Sequence, residues 1–503
     1  MACSTGNSRS ISATFSRRIS IFCSGVRESA VVKKAGRLLR VLAPGFLFFL
    51  TGAEPLSAET LFSALARAYS GNPDLNQSRA NVRVHDEEAP KALAGMRPKA
   101  SIQAAAGPLY GTVRLPAGRS QMTGQRQFFS DEFVSYPRGA TLDVSQNIFD
   151  GGRTENSVRQ AESNVFAARA SMRLTEQAIL QNGATAYMNV LRDAAVLNLR
   201  KNNIAVLEQQ RKLTQDRYNV GQTTLTDVAQ AEASLAQARS ALYASQAQLK
   251  TSIAAYRQII GADPGRLEPG QSTEPLLPKS LSEAIRIALA EHPGVVSATH
   301  QVDAAELAVK VAESALSPTL SVNAQVSSQN DSFAGIPGSR QFSAAAVAQF
   351  NMPLYQGGAE YASIRQAKER LGQARLNADL QRDSVRASVV SSYGLLESAK
   401  ASIASSQAAV NAAGIALTGV RDEASVGRRT TLDVLNAQQE LLNARVGLVL
   451  AQRDRVVASY AALGAIGRLS AQELNLTVAF YDPAIHYEQV KTKWIGVETP
   501  DGR

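Results

Sequence analysis

Large apolar residues recur every seven positions late in the first half of the chain: Val228, Leu235, Leu242, Leu249 and Tyr256. Ala231, Ala238, Ser245 and Ser252 stand three positions after the first four. The second half repeats this with Val434, Leu441 and Leu448, accompanied by Ala437, Ala444, Ala451 and Ala458. A seven-residue period puts each set on one seam of an α-helix, and small residues in that seam let helix axes approach closely. No proline occurs from Arg138 to Asp263 or from Leu354 to Asp482. Proline costs about 3 kcal/mol inside a helix, so both stretches are free to form long ones. Asp150 to Asn219 alone would reach roughly 100 Å at 1.5 Å per residue, a length that calls for coiled-coil packing. A soluble helical bundle would show the same heptads.

Four stretches switch to a two-residue alternation: 99–113, 138–149, 318–330 and 341–355. Barrel strands that cross a membrane need about 9–11 residues and carry this weak period. The stretches form two pairs, joined by loops 114–137 and 331–340. Phe149 and Tyr355 close the second strand of each pair, where an interfacial aromatic belongs. Surface hairpins on a soluble protein remain an alternative. If the strands do cross a membrane, four cannot close a barrel, because the smallest have about eight, and open edges cannot face lipid. Several chains would then share one barrel. Three copies related by cyclic symmetry would supply twelve strands.

The chain also reads as duplicated. "LFSALARAYSGNP" (61–73) matches "LSEAIRIALAEHP" (281–293) at an offset of 220. "IFDGG" (148–152) matches "LYQGG" (354–358) at an offset of 206, so the first half carries fourteen extra residues between the strands of its pair. This gives a first repeat at 59–261, a proline-rich linker at 262–280, a second repeat at 281–467 and a C-terminal tail at 468–503.

Composition adds a targeting segment. The 503-residue chain has a formal net charge of +10, but residues 1–58 carry six of those charges. Within them "KKAGRLLR" is followed by the apolar "VLAPGFLFFL", and Ala58 ends a small-residue cleavage point. We therefore expect 1–58 to be a presequence. Both cysteines, Cys3 and Cys23, precede the cleavage point, so the mature chain would hold no disulfide. No later apolar run approaches twenty residues, and no transmembrane helix is expected. The remaining charge forms no basic run with interleaved aromatics, which argues against nucleic acid. His85, His292, His300 and His486 show no metal-ligand spacing. No phosphate loop or nucleophile elbow occurs, so neither an enzyme nor a cofactor is expected.

One phrase occurs twice: "VGQTTLTDVAQ" from Val220 and "VGRRTTLDVLNAQ" from Val426. Gly221 and Gly427 suit the position just past a helix end. Thr224 and Thr430 can cap the next helix, and Asp227 and Asp433 fall three residues on, as in a capping box. Both phrases are expected to be tight turns between antiparallel helices.

Together the opening "ETL…NP", the repeat, "FDGG" (149–152) and "YQGG" (355–358) after the strands, and the paired "VGxxTxxD" turns resemble the TolC-like outer-membrane channel-tunnel proteins. The resemblance spans about 59–470. It implies an α+β membrane protein: a homotrimer with a shared twelve-stranded barrel in outer-membrane lipid, four strands per chain. Below the barrel an antiparallel coiled-coil tunnel would cross the periplasm. Partners would be a periplasmic membrane-fusion adaptor and an inner-membrane ABC or RND transporter, for export of small toxic molecules or secreted protein. The C-terminal part, Leu469 to about Thr492, would form a belt near mid-tunnel. The resemblance places the two turns at a periplasmic gate. Asp227 and Arg429 would be partners in its lock with Thr226 nearby, and Asp433 would form an acidic ring on the axis. Asn436 stands where a second acid is familiar, Ala424 where a tyrosine is, and Arg428 adds a cation. Gly151, Gly152, Gly357 and Gly358 would make the strand-to-helix junctions beside Phe149 and Tyr355. Two rivals stay open: a trimeric coiled-coil surface adhesin, which would instead place four consecutive strands at its C-terminus, and a soluble periplasmic coiled-coil adaptor.

Overall fold

A computed structural model describes residues 59–332, 336, 338–500 and 502. The expected presequence, with its expected cleavage point at Ala58 and both cysteines, lies outside the described residues. The first half begins with helices α1 (Leu61–Gly71), α2 (Pro73–Asp86) and α3 (Glu88–Leu93), followed by strands β1 (Lys99–Ala106), β2 (Leu109–Arg119), β3 (Arg126–Ser135) and β4 (Arg138–Phe149). Two long helices follow, α4 (Arg153–Asn219) and α5 (Leu225–Ile260). The second half has α6 (Leu281–Glu291), α7 (Pro293–Glu313), β5 (Thr319–Asn330), β6 (Arg340–Asn351), α8 (Ala359–Ser425) and α9 (Thr431–Ile466), and the tail adds α10 (Pro483–Val490). α4 and α8 each have 67 residues, and α5 and α9 each have 36.

Why the long helices persist is visible at their ends. Gly152 and Gly358 start α4 and α8 in the left-handed region, at φ 77° and 88°. Each is preceded by a second left-handed glycine, Gly151 at φ 68° and Gly357 at φ 72°. At Gly151 the space is also closed: a Cβ would stand 2.3 Å from that of Ser317. The expected junction glycines are therefore required by backbone geometry. Along α5, Val228, Ala231, Leu235, Ser245, Ser252 and Tyr256 are buried as the heptad predicts. Along α9 the buried stripe departs from the predicted seam. Leu435, Gln438 and Leu442 are buried beside Val434, because α9 packs against α4 and α5 of the first half as well as against α8. Leu435 closes a small cluster with Leu207 and Leu235.

The main core lies midway along the helices. Tyr187, Tyr256, Tyr460, Leu65, Leu180 and Leu463 are fully buried there. Tyr187 donates its hydroxyl to the carbonyls of Glu59 and Glu268, 2.7 Å from each, and the Glu59 carboxylate takes Tyr256 and Arg67. The linker is held across the second half by Glu274, which accepts from Arg455 at 2.7 Å and pairs with Lys400 at 3.4 Å.

Three sequence expectations need correction. The predicted strand 99–113 breaks at Gly107 and Pro108, opposite Pro137, because neither proline can donate to the ladder. Beyond that break β2 and β3 form a separate two-stranded sheet, so most of the predicted loop 114–137 is a hairpin. The last predicted strand stops at Asn351, leaving Tyr355 outside it. Thr319, opposite Asn351, is where β5 begins, so no partner residue remains, and Pro353 removes a further donor. By length and composition alone, α8 also carries a stretch apolar enough for a membrane span. On this helix Ala378, Val389 and Ala399 are buried, whereas Leu395 and Ile415 are 62% and 75% exposed in the single chain.

Candidate functional site

The two repeated turns have one backbone. Gly221 and Gly427 adopt φ 76° and 79°. The next N–H in each turn closes back on the preceding helix: Gln222 to the Arg217 carbonyl at 2.8 Å, and Arg428 to that of Glu423 at 2.9 Å. Thr224 and Thr430 cap α5 and α9 in complete capping boxes. The Asp227 carboxylate accepts from the Thr224 backbone at 3.0 Å and from its hydroxyl at 2.8 Å. Asp433 does the same with Thr430, at 2.9 Å each. The structural role expected for both aspartates is thus present in full.

The charges separate the two copies. Arg429 donates to Glu423 at 2.7 Å across its own turn. The equivalent positions in the first turn are Thr223 and Arg217, so no such pair forms there. Within one chain Arg429 is therefore engaged by Glu423, and Asp227 by Thr224; the expected Asp227–Arg429 partnership is not made. Sequence reasoning missed Glu423, although its place at the end of α8, six residues before Arg429, was a usable signal. The Asp433 carboxyl is held below its ordinary value by the Thr430 backbone N–H, then the Thr430 hydroxyl, then Arg429 nearby. Thr226 and Arg428 are exposed. Asn436 lines a polar cleft of about 230 Å³ between α4, α5 and α9, with Arg200 and Asn203.

At the other end, β1, β4, β5 and β6 form one antiparallel sheet in the order β1-β4-β5-β6. Its register sorts the side chains. Leu142 faces Val326, Val322 faces Ala348, and Ile102 faces Leu142. Across all four strands one surface carries Ile102, Leu142, Val144, Leu320, Val322, Val326 and Ala344. The opposite surface carries Gln103, Asp143, Asn323, Gln325 and Gln349, with Gln325 donating to Asp143 at 2.9 Å. On β6 the apolar surface begins and ends with Phe342 and Phe350, eight residues or about 26 Å apart at roughly 3.3 Å per residue. A register shift between Asn147 and Phe149 turns Phe149 onto the same surface, opposite Leu320 and in line with Phe350. The apolar residues of this surface are solvent-exposed in the single chain: Ile102 by 75%, Phe342 by 72% and Phe350 by 66%.

A sheet with one mostly apolar surface bounded by aromatics, broken by Gln146 and Ser328, and mounted on paired 67-residue helices defines a class: outer-membrane channel proteins with a long helical extension. The profile of the family described as outer membrane efflux protein matches residues 64–262 and 284–468. The outer membrane efflux protein BepC of Brucella suis biovar 1 (strain 1330) is 42% identical over 454 residues, 90% of this chain and 95% of its own. The outer membrane protein TolC of Escherichia coli (strain K12) is 26% identical over 438 residues, 84% of this chain and 86% of its own. The Campylobacter jejuni CmeC outer membrane channel superposes with a TM-score of 0.70 over 87% of this chain and 90% of that one, at 16% identity. The chain belongs to the outer membrane efflux protein family, a family of channel proteins, and its location is the outer membrane.

Proposed function

We propose that three copies of this chain form the outer-membrane exit duct of a tripartite efflux or type I secretion system, passively conducting small toxic molecules or secreted protein outward. The observation that carries the reading is the four-stranded sheet. Its apolar surface matches a barrel exterior and its polar surface a water-filled lumen; about 26 Å along a strand tilted by roughly 40° gives an apolar band about 20 Å tall, close to the roughly 25 Å of barrels with aromatic girdles. Yet β1 and β6 are open edges, and open edges cannot face lipid. Closure needs β1 of one copy against β6 of the next, which three copies achieve with twelve strands. The long helices then extend into the periplasm towards a membrane-fusion adaptor and an inner-membrane ABC or RND transporter.

In this arrangement the two turns of each chain meet around the axis at the periplasmic end and form a gate. Asp433 contributes one ring of three carboxylates, and Asn436 replaces a second. The Glu423 pair competes for Arg429, so the lock with Asp227 forms only when Arg429 exchanges partners between turns. Single-channel recording in planar bilayers tests both parts. The purified protein should open steady pores, and Arg429→Ser should raise resting conductance. Absence of any pore would sink the duct, and an unchanged resting conductance would remove Arg429 from the gate.

A further inference from the structure

The C-terminal tail does not stay at mid-height. After leaving the main core at Leu469 and Leu476 it climbs along α2 and α4. His486 contacts the buried Asp86 at 3.0 Å, and Tyr487 donates to Glu162 at 3.0 Å. It then arrives beside the strands. Arg97, two residues before β1, donates to the Lys493 carbonyl at 2.8 Å, and its guanidinium lies 4.6 Å from the centre of the Trp494 ring. The level of that contact is fixed by the sheet. Asn147 donates to the Gly95 carbonyl at 3.0 Å and Gln146 to that of Met96 at 3.5 Å. Arg97 therefore sits within a residue or two of the row formed by Phe149, Leu320 and Phe350.

At that level the tail presents an apolar surface that is exposed among the described residues. Trp494 is 65% exposed, Ile495 90% and Val497 99%. Lys493 precedes the tryptophan with its amine on the Glu498 carbonyl, and Lys491, two residues earlier, pairs with Glu488. Tryptophan with adjacent lysine is the composition of a membrane–water interface, where the indole lies among headgroups and the amines meet phosphates. We propose that residues 491–497 are an interfacial anchor resting on the periplasmic leaflet of the outer membrane, with phospholipid headgroups as the partner. The anchor rests on the reading that the sheet spans the membrane. Arg97 is its positioning residue, fixing the tail at headgroup depth from the base of β1.

Trp494 is the sole tryptophan of the chain, so intrinsic fluorescence reports this site alone. The full protein is reconstituted into phosphatidylcholine–phosphatidylglycerol vesicles whose acyl chains carry bromine either near the headgroup or near the chain end. Trp494 emission should shift to the blue relative to the denatured chain and be quenched more by the shallow bromines than by the deep ones. A control carries Trp494→Phe with Phe350→Trp, which moves the reporter onto the sheet. If the control is quenched and Trp494 is not, the anchor is overturned while the barrel stands. If Trp494 is blue-shifted yet untouched by either lipid, a neighbouring copy covers it, and the anchor is again overturned. If neither site is quenched, the membrane-spanning sheet fails and takes the anchor with it.

Discussion

Two glycines at matched positions offer a test of how the helical ends are fitted together. Gly261 and Gly467 terminate α5 and α9 with φ 85° and 94°. An alanine at either must adopt the left-handed region, at a cost of about 1–2 kcal/mol. Their surroundings differ. Nothing lies within 4 Å of a Cβ built on Gly261. A Cβ on Gly467 would stand 2.6 Å from the His292 Cα and 3.1 Å from the Pro293 ring, so the start of α7 would have to move. Forcing atoms into a filled site typically adds about 1–3 kcal/mol. Gly467→Ala should therefore exceed Gly261→Ala by that margin. Amide hydrogen exchange on the detergent-solubilised protein reads it locally, in peptides covering the end of each helix and residues 292–296. Gly261→Ala should accelerate exchange only at the end of α5. Gly467→Ala should accelerate it at the end of α9 and also at the α7 start, where Val295 and Val296 donate to the His292 carbonyl, by about 5- to 140-fold more than the Gly261 variant does at its own site. Equal effects from the two variants would refute the claim that α7 closes against Gly467.

Other expectations follow from the same geometry. The ring of His292 caps α7 by accepting from the Gly294 N–H at 3.1 Å, and burial holds its pKa below the ordinary 6.5. The unfolded chain then takes up the proton first, so this stability is complete above pH 6.5 and is lost as pH falls from there through the lower folded value. Melting in detergent should show that loss for the parent and not for His292→Asn, which caps without titrating; parallel pH curves would contradict it. At the gate, Asp433→Ala should weaken block by multivalent cations in bilayer recordings, and unchanged block would argue against an axial Asp433 ring. Glu423→Gln releases Arg429 and should lower resting conductance if Arg429 then latches onto Asp227; a rise would reverse the proposed competition.

How much of this was readable beforehand depends on the range of the interaction involved. The long helices, their glycine starts and both capping boxes are local: proline absence, heptads and the Thr-x-x-Asp spacing encode them within a few residues. The alternating strands were legible for the same reason. What escaped were features set by partners distant in sequence. The strand break needs Gly107-Pro108 to lie across from Tyr136-Pro137, a pairing the chain does not display in one dimension. Tyr355 falls outside β6 partly because β5 begins at Thr319, not because of its own neighbours. The tail carries no period to place it, and its destination is decided by contacts with Asp86 and Arg97, some four hundred residues away. Arg429 was assigned across to Asp227 by resemblance, while a nearer acid, Glu423, reaches it first.

The central claim is that β1 of one copy pairs with β6 of the next until three have closed the barrel. The chain after residue 58 contains no cysteine, so engineered pairs can be introduced cleanly. Variants carrying one cysteine on β1, at Ser101 or Gln103, and one on β6, at Ser343, Ala345 or Gln349, would be oxidised in outer-membrane fractions and separated under denaturing conditions. The account predicts that at least one pairing gives a covalent ladder of two and three chains that stops at three. No cross-link at any pairing, or a ladder that ends at two or runs past three, would contradict it.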